Sequence, residues 1–156
     1  MSNGRIALLV LLPLLLLSCA RPRDQANAPS RARLEIRLAA GTPQPGFVAM
    51  VPEGAKEPVY VSPSVVLSNA DIGGAAYLPD AGTGPAVGVV FTAVGAKKFA
   101  DFTAAHVGEM AAILIDGRVT SAPTIRDPVT GGRATITGQF TEAQARKLAA
   151  SLVPGR

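Results

Sequence analysis

Residues 110–140 read MAAILIDGRVTSAPTIRDPVTGGRATITGQF, and the reading of this stretch decides the fold class. The apolar run Met110 to Ile115 leads into Asp116-Gly117, and an alternating apolar/polar segment through Val119 follows. Asp-Gly between two strand-like runs is a strong hairpin signal, because a type I′ turn needs positive φ at both central positions. Gly131-Gly132 relaxes the same steric restriction at a second reversal, and Arg133 to Thr137 alternates again. The pattern predicts a three-stranded antiparallel meander, with Pro123 and Pro128 confining the middle connection to a sheet edge or an irregular excursion.

Helical periodicity flanks this stretch on both sides. Upstream, Val94, Phe99, Phe102 and Val107 recur at spacings of three to five, which predicts an amphipathic helix over Ala93 to Val107 ended by Gly108. Downstream, Thr141 is an N-cap candidate for a second amphipathic helix over Glu142 to Leu152, with Ala145, Leu148, Ala149 and Leu152 inward. Lys147 lies toward its C-terminal end, where a cation suits the helix dipole, and Pro154-Gly155 stops it. Earlier in the chain, Leu34, Ile36 and Leu38 alternate with Glu35 and Arg37 as a half-buried strand does. Gly41 to Gly46 reads as a loop, and Phe47 to Val51 and Val59-Tyr60-Val61 as short strands. Ser68 reads as the N-cap of a short helix over Asn69 to Ala75, weakened by Gly73 and Gly74. Pro79 to Pro85 is a turn-rich connection, and Ala86 to Phe91 a strand suited to the middle of a sheet. The expected class is α+β, a small mostly antiparallel sheet with two main amphipathic helices packed on one face, within residues 32–153.

The N-terminal residues 1–18 have the form of an export signal: Arg5, an apolar run from Ile6 to Leu17 interrupted by Pro13, then Ser18-Cys19. Such a run is too short to span a bilayer, which takes about 20 residues. Leu16-Leu17-Ser18-Cys19 resembles the bacterial lipobox, which implies cleavage between Ser18 and Cys19 and acylation of Cys19, so that the membrane is reached through a lipid anchor. Cys19 is the only cysteine, so disulfides play no part. Ala20 rather than Asp after the cysteine resembles the pattern sorted to the outer membrane, which places the protein in the envelope facing the periplasm. Residues 19–31 have no apolar periodicity and read as a flexible tether.

The formal charge is +4, but from Pro58 to Val153 seven basic residues face seven acidic ones. The folded part therefore lacks the basic stripe that nucleic acid requires. A search for chemistry returns little. His106 is the only histidine and falls near a helix end; no G-x-S-x-G occurs; Gly82, Gly84 and Gly88 miss the dinucleotide spacing and precede a strand. Thr130 to Gly132 lacks the lysine of a phosphate loop, and Asp116 and Asp127 are explained by their turns before any acid/base pairing. No catalytic, cofactor or metal residues are expected. Two features suit binding: the open edges of a small sheet, which an extended peptide can join, and the proline bend Ser121-Ala122-Pro123-Thr124.

From Val89 to Leu152 the chain resembles the head subdomain of the first periplasmic domain of SecD, the translocon accessory subunit. The resemblance is carried by Phe91, Gly95-Ala96, Phe99, Thr103-Ala104, Gly108, Ala112 to Gly117, Ser121-Ala122-Pro123, Gly131-Gly132, Ile136-Thr137-Gly138, Phe140-Thr141, Ala145 and Leu148-Ala149. Tyr60-Val61, Leu67, Asp71-Ile72 and Ala75 extend it upstream, so that it covers about Ala32 to Leu152. SecD-type proteins also carry proton-coupled membrane helices and a base subdomain on which the head swings, and the resemblance does not extend to these. It implies a head on a lipid tether that contacts polypeptide or an envelope protein, accessory to protein export and not enzymatic. A structural envelope component is the alternative, and a small hydrolase using His106 or Asp116 a further one.

Overall fold

The computed structural model describes residues 31–82 and 84–153; the predicted signal segment, Ser18, Cys19 and the tether up to residue 30 lie outside the described residues. Eight strands and two helices follow in the order β1 (Leu34–Ala40), β2 (Val48–Met50), β3 (Val59–Ser68), β4 (Ile72–Leu78), β5 (Ala86–Phe91), α1 (Ala93–Ala105), β6 (Met110–Ile115), β7 (Arg118–Ser121), β8 (Arg133–Ile136) and α2 (Glu142–Leu152). The α+β class, the antiparallel pairing and the two helices are as expected. The strands are divided over two sheets, one ordered β2-β3-β1-β6-β7 and the other β4-β5-β8.

This division corrects two readings of the sequence. The Asp116-Gly117 hairpin forms as predicted, with Asp116 at φ 51° and Gly117 at φ 79° joining β6 to β7. The third segment of the expected meander leaves: β8 pairs with β5 in the second sheet, Val87 opposite Ile136 and Val89 opposite Ala134. Between them the Ser121–Ile125 segment runs back along the start of β6. Ala111 N–H donates to the Pro123 carbonyl and Ile125 N–H to that of Glu109. Val129 N–H then donates to Thr103 Oγ1 on α1 at 2.8 Å, which carries the chain to the other sheet. The second correction concerns Asn69 to Ala75. Only one 3₁₀ turn, Asn69–Asp71, follows Ser68, and Ile72 onward is strand β4. The capping signal is real, since the Asp71 carboxylate accepts from Ser68 N–H at 3.0 Å, one arm of a capping box. Glycines at 73 and 74 weaken helix propagation, whereas pairing with β5 from Ile72 to Leu78 satisfies the backbone in extended form.

The Ser68–Asp71 corner joins the two sheets to α1. The buried Asp71 carboxylate accepts from Ser68 N–H and from Lys98 Nζ at 2.8 Å, and its backbone carbonyl accepts from Thr92 N–H. Gly95, in the first turn of α1, lies so close that a Cβ there would sit 2.4 Å from the Asp71 carbonyl oxygen. The start of β1 is held from both sides. Asn69 Oδ1 accepts from Leu34 N–H while its Nδ2 donates to the Ala32 carbonyl, and Asp116 Oδ1 accepts from Arg33 N–H. Farther along β1, the pairing with β3 shifts register around Arg37. The Arg37 guanidinium donates to the Ser62 and Pro63 carbonyls of this irregular stretch and pairs with the buried Glu35. Pro63, which has no N–H to donate, is tolerated inside this ten-residue strand because it lies in the irregular stretch, beyond the pairing of β2 with Val59–Val61.

The main core lies between the helices and the strands, with Leu34, Ile36, Leu67, Ile72, Val87 and Val89 fully buried. Phe99 of α1 packs tilted against Phe91 of β5 at a centroid separation of 4.9 Å and stacks with Phe102 at 6.5 Å. Ala145, Leu148, Ala149 and Leu152 are the buried residues of α2, as its periodicity predicted. A smaller cluster of Ala39, Val59, Val61, Ala112, Leu114 and Val119 sits apart from the main core.

Burial alone would raise the Asp71 pKa, but the Lys98 ammonium and the Ser68 groups hold its carboxyl below the ordinary value of 3.8. A depressed folded-state value contributes stability that is present above the unfolded value and lost as pH falls through the folded one. Lys98→Met is therefore expected to destabilise the domain most near neutral pH, with the gap to wild type closing below the carboxylate range; urea unfolding at several pH values measures this. Gly95→Ala is expected to cost about 1–3 kcal/mol by overpacking against backbone that cannot yield, measured by the same denaturation.

Candidate functional site

A groove of 540 Å³ lies between the β6–β7 hairpin and α2. Its apolar floor is Ala32, Ile115, Phe140 and Leu148. Polar groups stand around that floor: Glu53, Asp116, Arg118, Thr120, Gln144 and Lys147. Each arrives for a local reason. Arg118 and Thr120 lie two apart on β7 and so share one face of that strand. Gln144 is held at the first turn of α2 by its capping box with Thr141, and Lys147 and Ser151 follow on the same side of the helix. Arg118 and Lys147 balance Glu53 and Asp116, so the groove offers mixed charge over an apolar floor. It suits amphipathic ligands more than a single anion or cation. A second depression of 350 Å³ lies beside the Asn69–Asp71 turn and the end of α2.

The structure disperses the residues that suggested catalysis. His106 ends α1, with its ring 5.0 Å from that of Phe102 and Nδ1 3.3 Å from Glu109 Oε2. Asp116 lines the groove, but its carboxylate is engaged by the Arg33 N–H at 2.8 Å and its backbone by the Arg33 carbonyl. Asp127 is exposed in the excursion between β7 and β8. Among the described residues no group of three His, Cys, Asp or Glu side chains lies together as a metal site would need. The bend Ser121-Ala122-Pro123-Thr124 is largely absorbed into pairing with β6, through the Pro123 carbonyl and a bridge between Thr124 and Met110.

Sequence reasoning missed the groove itself, because its walls come from residues 32, 53, 115–120 and 139–151. It also missed the buried Glu35, set between Arg33 and Arg37. That cluster had a signal, since two arginines flank one glutamate at a spacing of two on a strand. An unpaired Glu35 would be costly at 4% exposure, so the flanking arginines are a structural requirement.

Asp116 occupies a left-handed position, where most side chains cost about 1–2 kcal/mol and Asn or Asp little. Asp116→Asn is expected to leave stability nearly unchanged and Asp116→Val to lower it by about that amount, checked by chemical denaturation.

The comparisons with known proteins bear on the same residues. A family model described as "SecDF, P1 head subdomain" matches residues 47–156. The protein translocase subunit SecD of Acetobacter pasteurianus is 39% identical over 144 residues, covering 85% of this chain and 27% of that protein. SecD of Magnetococcus marinus is 51% identical over 71 residues, covering 46% of this chain and 14% of that one. A solved structure described as "Structure and function of a membrane component SecDF that enhances protein export" superposes with a TM-score of 0.63 at 29% identity, over 80% of this chain and 63% of that one. The chain thus spans only a minor part of the length of the curated relatives it matches. Among the described residues no helix is long and apolar enough to cross a membrane.

Proposed function

This chain belongs to the family of SecDF P1 head subdomains, and on that premise we propose that it is a non-enzymatic envelope module that binds polypeptide in support of protein export. The observation that carries the reading is the head pattern itself, which runs through residues 47–156 and forms an α+β domain similar to that of a SecDF described as enhancing protein export. The groove adds physical support, because an apolar floor rimmed by both charges suits side chains of many kinds. Residues 1–18 are proposed as a lipoprotein signal, residues 19–31 as a tether and residues 32–153 as the working domain. Cys19 is the lipidated residue, with cleavage after Ser18, and the domain faces the periplasm from an anchored position, preferentially on the outer membrane. The partner is an exported polypeptide or an envelope protein that handles one.

Two measurements test this. A photoreactive residue at the exposed, groove-lining Lys147 is expected to crosslink to a precursor arrested during export, and an absence of crosslinks above those from an exposed control position such as Val51 would sink the polypeptide-binding reading. Metabolic labelling with an alkyne palmitate is expected to mark the protein through Cys19. Cys19→Ser should abolish the label and release the domain from membranes, whereas unchanged fractionation would rule out the lipid anchor.

A further inference from the structure

The two sheets have four outer edges, and three of them are short or guarded. Strand β2 has three residues and covers β3 only at Val59–Val61, beyond which the outer side of β3 carries Pro63 and an irregular register; β8 has four and opens on the exposed Arg133. Strand β7 also has four, and its Val119 carbonyl already accepts from Glu53 N–H at 3.0 Å. The fourth edge is β4, seven residues reading IGGAAYL, with no charge and no proline. In an antiparallel ladder alternate residues direct both N–H and C=O away from the partner strand. Among the described residues, no backbone group of Gly73–Leu78 bonds to anything outside its pairing with β5. Natural proteins shorten, charge, bulge or cover such an edge; from Gly74 onward β4 has no charge, proline or bulge of its own, and α2 packs against one face of it.

The side chains keep this edge open. Neither Gly73 nor Gly74 has the positive φ that would demand glycine; a Cβ at Gly73 would touch the Phe91–Thr92 backbone at 3.4–3.5 Å, whereas one at Gly74 would meet nothing within 4 Å. Ala76 is exposed. Tyr77 is drawn the other way, its ring under the Arg146 guanidinium of α2 at 4.2 Å. Glycine in a strand without a turn to serve marks a place where another backbone can approach closely. We infer that β4 is a strand-addition site that captures an extended segment of polypeptide through main-chain hydrogen bonds. This rests on the polypeptide-binding reading and adds to the groove a site for main-chain capture.

The occupant follows from the chemistry of the edge. A row of alternating donors and acceptors at strand spacing is matched by an extended polypeptide backbone. Gly73 to Ala76 provide no side-chain pockets, so recognition is indifferent to sequence. Two such edges could pair between copies of this chain, but seven residues a side fall well short of the roughly 20–30 a side of a stable interface. Transient capture of an unfolded segment therefore fits better than a homodimer.

The test uses the full chain and an alternating threonine–valine octapeptide, alongside the same peptide N-methylated throughout, with amide hydrogen exchange read residue by residue. The unmodified peptide is expected to slow exchange of alternate amides between Gly73 and Leu78 by at least about tenfold, leaving β2, β7 and β8 unchanged; the methylated one should bind at least about tenfold more weakly, as loss of several backbone hydrogen bonds requires. Equal binding of the methylated peptide would overturn the inference. So would protection confined to the groove or to Arg118–Ser121, although polypeptide binding would then survive. Protection of β4 that grows with protein concentration and without peptide would assign the edge to a second copy, also against the inference. Failure of the octapeptide to bind overturns the edge site; if precursor crosslinks at Lys147 persist the broader function stands, and if they fail too both are lost.

Discussion

The Asp71 carboxylate sits at the one corner where the five-stranded sheet, the three-stranded sheet and the first helix meet. It is buried, so it must be partnered, and each partner belongs to a different part of the fold. Ser68 N–H is the end of β3, Lys98 is on α1, and the Asp71 carbonyl takes Thr92 N–H between β5 and α1. Gly95 permits that approach by having no side chain to obstruct it. The corner sets the direction in which β4 departs, and β4 sets the second sheet through its pairing with β5. α2 then closes the main core, burying Leu148 and Leu152 in the cluster that holds Val87 and Val89.

The groove is a consequence of this arrangement. Because β8 crosses to the second sheet, the chain from Gly138 onward returns over the β6–β7 hairpin, and α2 ends up beside Ile115 and Thr120. Had β8 remained in the first sheet, β7 would be an interior strand with its outer side covered. Gly138 fits this passage: a Cβ there would sit 2.7 Å from Thr120 Cγ2.

The parts of the fold that were legible in the chain were those governed by local rules. Asp116-Gly117 needs left-handed backbone at two successive positions, and few other dipeptides accept that. Thr141 and Gln144 form a capping box within one turn, and the spacing of Ala145, Leu148, Ala149 and Leu152 follows from 3.6 residues per turn. Phe99 and Phe102 announced α1 in the same way. The reading of Asn69 to Ala75 failed at an instructive point. Its capping signal was correct for a single turn, but a one-turn helix has almost no internal hydrogen bonding, and the ladder offered by β5 competed successfully for the rest.

By itself, then, the sequence determined the hairpin, the two helices, the buried face of α2 and the α+β class, because turns, caps and periodicity act over a few residues. On α1 only Phe99 and Phe102 of the expected face are buried, while Val94 and Val107, at the two ends of the expected helix, are exposed. Only the tertiary structure decided that the strands form two sheets, that β8 joins β5, and that β4 has a long unguarded edge. Those outcomes depend on which distant backbone groups find each other, and Arg133 to Ile136 carries the same alternating pattern whichever strand it pairs with. The groove belongs to the same class. Its walls, from Ala32 to Ser151, have no relation along the chain until the return of α2 over the hairpin brings them together.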